Sequence, residues 1–363
     1  EAVRRPVAIE TGVSYLRRKD FEMRDGAFVA AVAAAADCGI LLDLHNVYCN
    51  QRNGRVDMDE FVADLPLACG AVLPRARLVY AVWGELNAAR DNLVLFPTRF
   101  GGTHRENAFM IGPGRVLDPA RWCIVVPNML GNGVSASPSN VAAPLGGLGF
   151  PPVGHADNIE LQRRMLAAHF AEAPLALALG WSMGAQQAYR WAVEEPGRVA
   201  RLFTLCGTAR TTPHNRVFLE SLLAALEADP RYLAGEPPVA GLRAVGRIYA
   251  GWAYSQPWLK AERFRASGFE SLDDWLSRYW DALFEARDAP DVTAMIRTWI
   301  ANDVADGGDL ARALGGVTAR TVVMTTTTDL YFTPADCRAE AAMIPGARYR
   351  DLESDWGHMA GSG

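Results

Sequence analysis

Apolar residues in this chain gather in short runs, separated by glycine- and proline-rich loops or by stretches of helical periodicity. The segments Arg77–Trp83, Asn92–Phe96, Trp122–Val126, Leu175–Leu179 and Arg201–Leu205 read as strands. Short apolar strands alternating with helices predict a largely parallel sheet covered on both faces. Strand signals return at Arg320–Thr325 and Ala347–Leu352. In between, the period changes to helical over Asn215–Ala228, Val239–Tyr254, Ser271–Arg287 and Asp291–Val304. Trp275, Tyr279, Trp280, Leu283 and Phe284, then Met295, Trp299 and Ile300, fall on one apolar face. These helices are expected to pack on one another as a cap inserted into the sheet domain, with some aromatics lining a pocket. The expected division is residues 1–66 as a separate N-terminal piece, 67–212 as the first part of an α/β core, 213–315 as the helical cap and 316–363 as the last part of the core. Residues 1–66 contain an alanine-rich helical stretch and the strand-like Ile40–Leu44.

Composition narrows the function classes. Half of the 363 residues are hydrophobic, 21% are charged, and the net charge is −5. That is ordinary globular composition without a basic patch, so nucleic acid and anionic membrane are excluded as expected partners. The apolar run Ala27–Ala36, bracketed by Asp25 and Asp37, is too short to span a bilayer. The N-terminal residues, charged and followed by a proline, do not read as a secretory signal. Six scattered cysteines (Cys38, Cys49, Cys69, Cys123, Cys206, Cys337) show no metal-finger spacing. They read as buried thiols of a protein in the reducing cytoplasm.

The chemistry is carried by Leu175-Ala-Leu-Ala-Leu-Gly-Trp-Ser-Met-Gly184, an apolar strand running into a G-x-S-x-G pattern. A helix follows from Ala185 to Glu195, stopped by Pro196. In that context Ser182 sits on a sharp strand-to-helix turn that lifts its hydroxyl out of the sheet, above a helix N-terminus that favours negative charge. A serine hydroxyl needs a base near neutral pH. His358, in Ser354-Asp-Trp-Gly-His358, follows the last expected strand, and Asp329 ends the apolar run Thr321–Asp329. The chain order Ser182, Asp329, His358 matches this kind of hydrolase. His358 is the expected general base, and Asp329 the group that fixes its tautomer. The oxyanion is expected to bind the Met183 N–H and one from Pro97-Thr-Arg-Phe-Gly-Gly-Thr-His104, with Arg99 favoured and Phe100 the alternative. His104 could serve as a second base but reads better as structural, and Asp336 reads as a helix-start residue.

These residues resemble the homoserine O-acetyltransferase family of the α/β-hydrolase fold. The likeness covers roughly residues 67–363 and includes Tyr80–Asn92, Gly112–Asp118, Val126–Asn132, the serine elbow with Trp191–Pro196, and the Asp329 and His358 segments. The resemblance implies an acyl-serine intermediate and a helical cap; the expected reaction uses neither metal nor organic cofactor. It also implies an arginine shortly before an Asp-Pro in a cap helix, to grip the carboxylate of homoserine. Before Asp229-Pro230 the matching position is Leu223, Arg216 stands two turns early, and Met359 replaces the acidic residue after the histidine. An apolar side chain cannot replace a bidentate arginine. The expected function is therefore hydrolysis of a small acyl ester. The alternatives are CoA-dependent O-acyl transfer, with acyl-CoA as co-substrate, and non-catalytic binding on a hydrolase scaffold.

Ala8–Leu16, Cys38–Tyr48 and Asp64–Pro66 resemble a different group, the multinuclear iron-dependent oxidase family of TIM barrels. The positions matching Glu10, Asp43 and Asn46 belong to that family's metal-site region. About a quarter of a barrel is present and eight strands are needed to close one, so this fragment is expected to be non-functional. At the other end His358 stands close to Gly363, where the hydrolase fold usually closes with a helix. Either the native chain continues, or an open apolar face invites a homodimer.

Overall fold

The computed structural model describes residues 8–10 and 39–41 by their backbone, and residues 59–362. Two compact units divide the chain, Glu1–Asp59 and Glu60–Gly363. In the first, β1 (Ala8–Glu10) and β2 (Gly39–Leu41) pair in parallel, Ala8 opposite Gly39. The alanine-rich stretch, residues 42–44, Asp43, Asn46, Cys38 and Cys49 lie outside the described residues.

The second unit is built on one eight-stranded sheet. Its strands are β3 (Asp59–Pro66), β4 (Val72–Trp83), β5 (Leu93–Leu95), β6 (Cys123–Pro127), β7 (Leu175–Trp181), β8 (Arg201–Leu205), β9 (Arg320–Thr326) and β10 (Arg348–Leu352). Across the sheet they run β10-β9-β8-β7-β5-β6-β4-β3. β4 is antiparallel to β6, whereas β6, β5, β7, β8, β9 and β10 run parallel, each to its neighbour. The sheet begins earlier than the boundary expected at residue 66. β3 belongs to the eight-stranded sheet, and its edge position explains why the pattern hides it: Leu65 is its one fully buried residue.

The central strands are apolar throughout because both faces are covered: every residue of β5 and β6 is buried. The covering helices include α1 (His155–Phe170), α2 (Met183–Glu194) and, after β9, α6 (Pro334–Met343). Between β8 and β9 the chain is helical, with α3 (Pro213–Glu227), α4 (Val239–Ala253) and α5 (Ala289–Ile300) as its longest members. α3 starts two residues before the expected Asn215, because Thr212 caps it and Pro213 occupies the first turn. α5 stops short of Val304, whose N–H instead donates to the Ala209 carbonyl.

The expected helix Ser271–Arg287 is three consecutive segments, Leu272–Trp275, Leu276–Asp281 and Ala282–Glu285, the middle one wound as a π-helix. Wider winding puts residues five apart on one face. Trp275 and Trp280 therefore meet edge to face at 5.9 Å, and both are buried. α4 crosses this segment closely at Gly246, where a Cβ would stand 2.7 Å from the Trp280 carbonyl oxygen. No helix among the described residues is long and apolar enough to cross a membrane. Of the described cysteines, Cys123, Cys206 and Cys337 are buried free thiols, but Cys69 is exposed, in a turn between β3 and β4 rather than in the core.

Candidate active site

The C-terminal ends of the parallel strands gather the chemistry at one edge of the sheet, where ligands of open α/β sheets bind. β7 ends at Trp181, and Ser182 follows with φ +59° and ψ −129°. For a non-glycine residue this conformation costs on the order of 1–3 kcal/mol and needs surrounding structure to hold it. That structure is visible. The Ser182 N–H donates to the Leu205 carbonyl at 3.0 Å, and the Ser182 carbonyl accepts from Ala185 (2.8 Å) and Gln186 (3.2 Å). The flanking glycines are sterically required. A Cβ on Gly180 would run into the backbone of Gly184, and one on Gly184 would stand 2.5 Å from the Pro97 carbonyl oxygen.

Asp329 follows β9 and His358 follows β10, and the two are joined. The Asp329 Oδ1 accepts from the backbone N–H groups of Tyr331 (2.8 Å) and Phe332 (3.0 Å), leaving Oδ2 for His358 Nδ1 at 2.8 Å. A carboxylate held at Nδ1 puts the proton there and leaves the Nε2 lone pair as a base. Ring packing locks the imidazole. Trp181 stacks on it at 5.3 Å, Tyr331 meets it edge-on at 4.9 Å and Phe332 lies at 5.6 Å. Ser182, Asp329 and His358 are 1%, 3% and 3% exposed. Among the hydrogen bonds of the described residues, none joins Ser182 Oγ to His358. The residue preceding the serine, Trp181, is what touches the ring. Hydroxyl–imidazole bonds in ligand-free sites are often long and tighten around substrate.

The loop after β5 is pinned to the elbow. Gln187 of α2 donates to the Thr98 carbonyl (3.0 Å), Thr98 Oγ1 accepts from the Met129 N–H (2.9 Å), and Gly184 packs under Pro97. Among the described residues, the backbone N–H groups of Met183, Arg99 and Phe100 donate to no carbonyl. His104 is buried away from this chemistry: its backbone N–H donates to Asn128 Oδ1 at 3.0 Å, and its ring also lies against Asn128. Asp336 is the third residue of α6, where its carboxylate accepts from the hydroxyl of the N-cap Thr333 at 2.7 Å. Arg216 is exposed and paired with Glu220, and Leu223 is half-buried. Among the described residues, one group of three potential metal-ligating side chains occurs, Cys206, Asp329 and His358, with ligating atoms within 4.8 Å of one another. The Asp329–His358 bond already occupies it.

Two side chains that sequence reasoning left out lie at this loop. The Arg99 guanidinium carbon lies 4.5 Å from the Trp181 ring centre, and Arg287, just past Ala282–Glu285, donates from Nη1 to the Gly101 carbonyl at 2.9 Å. Burial pushes both guanidinium groups below the ordinary arginine value, and Arg287 lowers Arg99 further.

A family model described as alpha/beta hydrolase fold matches residues 92–361. The chain belongs to this family. Ethyl acetate hydrolase of Pseudomonas veronii is 37% identical over 324 residues, covering 87% of this chain and 93% of the relative. Homoserine O-acetyltransferase of Thermobifida fusca is 31% identical over 334 residues, covering 82% and 88%. Among solved structures, the acetyl esterase MekB superposes with a TM-score of 0.82 at 37% identity, covering 85% of this chain and 92% of that one. A second family model, described as RiPP precursor modification enzyme MbnB/TglH/ChrH, matches residues 1–70.

Proposed function

We propose that this protein is a serine esterase that hydrolyses a small acyl ester through Ser182, His358 and Asp329. The observation that carries the reading is the strained, glycine-enforced Ser182 turn beside a buried imidazole whose Nδ1 is bonded to Asp329. In this reading His358 Nε2 takes the Ser182 proton as Oγ forms a bond to the acyl carbon. Negative charge collects on the former carbonyl oxygen, where the Met183 and Arg99 N–H groups receive it. Collapse expels the alcohol, which leaves with the proton from His358. Water then repeats the sequence on the acyl-serine and releases the carboxylic acid. Asp329 holds the tautomer and stabilises the imidazolium.

The names ethyl acetate hydrolase and acetyl esterase, carried by matches with high coverage, support a short acyl group. Leu223, where the homoserine-using resemblance calls for an arginine, argues for water rather than an amino-acid acceptor. Ser182→Ala is expected to abolish turnover of p-nitrophenyl acetate, a loss of at least about 10⁴-fold in kcat. Activity retained in that variant would overturn the reading. Acetyl-CoA consumption dependent on an added alcohol, exceeding ester hydrolysis in one sample, would reassign it to transfer.

A further inference from the structure

Two buried cations without a counter-ion stand beside the elbow. Arg99 and Arg287 enter no ion pair among the described residues, and the Nη1 of Arg99 and Nε of Arg287 are fully buried without a hydrogen-bond partner. A guanidinium carries five N–H donors, and buried charges are ordinarily paired. The acid whose field reaches both, Glu106, is committed elsewhere: its carboxylate accepts from the N–H and the hydroxyl of Thr103, each at 2.6 Å. The other groups that bear on the pair are the Tyr249 and Tyr279 hydroxyls, neither of them a carboxylate. Gly101 and Gly102 make room for both arginines. A Cβ on Gly101 would stand 2.5 Å from Arg287 Nη1, and one on Gly102 would collide with Arg99 Nη1. The loop thus keeps its backbone bare so that two like charges can sit over it.

The position relative to the reacting centre is constrained. The Arg99 guanidinium lies on Trp181, which itself stacks on His358, so it is at most about 10 Å from the imidazole centre. If the Arg99 N–H receives the oxyanion, its own side chain reaches a point one side-chain length away. From this geometry we infer that Arg99 and Arg287 bind a carboxylate on the substrate, separated from the ester carbonyl by a few carbons. The inference rests on the esterase reading and adds the substrate class: short esters that carry a carboxylate, on the acyl or the alcohol part. A carboxylate accepts two parallel N–H bonds from a guanidinium, which supplies orientation as well as affinity. The Leu223 position lies on a different helix, α3, so this grip is not the one the homoserine resemblance implies.

The test compares kcat/KM for ethyl butyrate (neutral) with monoethyl succinate (carboxylate on the acyl side) and 3-acetoxypropionate (carboxylate on the alcohol side). Wild type is expected to prefer one carboxylated ester over the neutral one by about ten- to a hundredfold, and the preferred arm identifies the side. In Arg287→Met that preference ratio is expected to fall at least about tenfold and to recover in part in Arg287→Lys. The ratio cancels any general loss of folded or active protein. Succinate is expected to inhibit ethyl butyrate hydrolysis competitively in wild type, and more weakly in Arg287→Met. No preference for either carboxylated ester, or a preference that survives Arg287→Met, would overturn the inference while leaving the esterase reading intact. Failure of wild type to hydrolyse any ester would strike the esterase reading itself.

Discussion

The sheet edge around Ser182 and the helices between β8 and β9 face each other across the imidazole, and they are specified in different ways. At the edge, the backbone decides. Gly180, Ser182 and Gly184 have almost no freedom, because a Cβ at either glycine would overlap neighbouring main chain and Ser182 is hydrogen-bonded to it. In the helical region, side-chain volume decides. Trp258, Trp275, Trp280, Phe284 and Trp299 fill the space between helices, and several aromatic pairs meet within 4.0–6.4 Å. Chemistry that depends on backbone geometry leaves a fixed motif in the sequence. Packing that depends on volume tolerates exchange and leaves only a periodicity.

Three substitutions sharpen that difference, in decreasing order of expected effect. Gly184→Val is expected to lower kcat/KM for p-nitrophenyl acetate by at least about a thousandfold, because a branched side chain pushes the Pro97 carbonyl and the loop after β5 away from Ser182. Steady-state kinetics on the folded fraction read this directly, and near-normal activity would show that the edge is not backbone-specified. Trp280→Ala is expected to cost about 3–5 kcal/mol of stability. It should leave saturated turnover within about tenfold, as measured by denaturant unfolding alongside kinetics. A loss of chemistry larger than the loss of stability would merge the two regions.

The smallest effect concerns His155, on α1, whose Nε2 bonds Gln186 of α2 at 2.9 Å. Burial lowers its pKa to about 4. The unfolded chain, with an ordinary value near ~6.5, binds a proton between these limits and the folded chain does not. Stability is therefore expected to fall by about 3 kcal/mol as pH drops from ~6.5 to ~4. His155→Gln should flatten that part of the pH–Tm curve. An unchanged slope would assign the acid sensitivity to other groups.

Much of this architecture was legible beforehand, and what was not has definite causes. The strands β5, β6 and β7 follow from apolar runs, because central parallel strands bury both faces. The edge strand β3 escaped because Phe61, Ala63 and Leu65 alternate with charged residues and an exposed valine, a weak period over a short span. The π turn at Leu276–Asp281 escaped because a helical period does not register one extra residue. Ser182, Asp329 and His358 could be proposed from motif and order, whereas Arg99 and Arg287 could not be proposed as a pair. In a sequence an arginine reads as a solvated surface charge, and only the fold brings residues 99 and 287 to one loop.

The central claim is that the hydroxyl of Ser182 is the group made nucleophilic by the buried imidazole. Treating the folded protein with a fluorophosphonate and mapping the adduct by peptide mass spectrometry tests it most directly. One adduct, on the peptide carrying Ser182, is expected in wild type, with labelling at least about a hundredfold slower in His358→Ala. An adduct on another residue, or a labelling rate indifferent to His358, would contradict it.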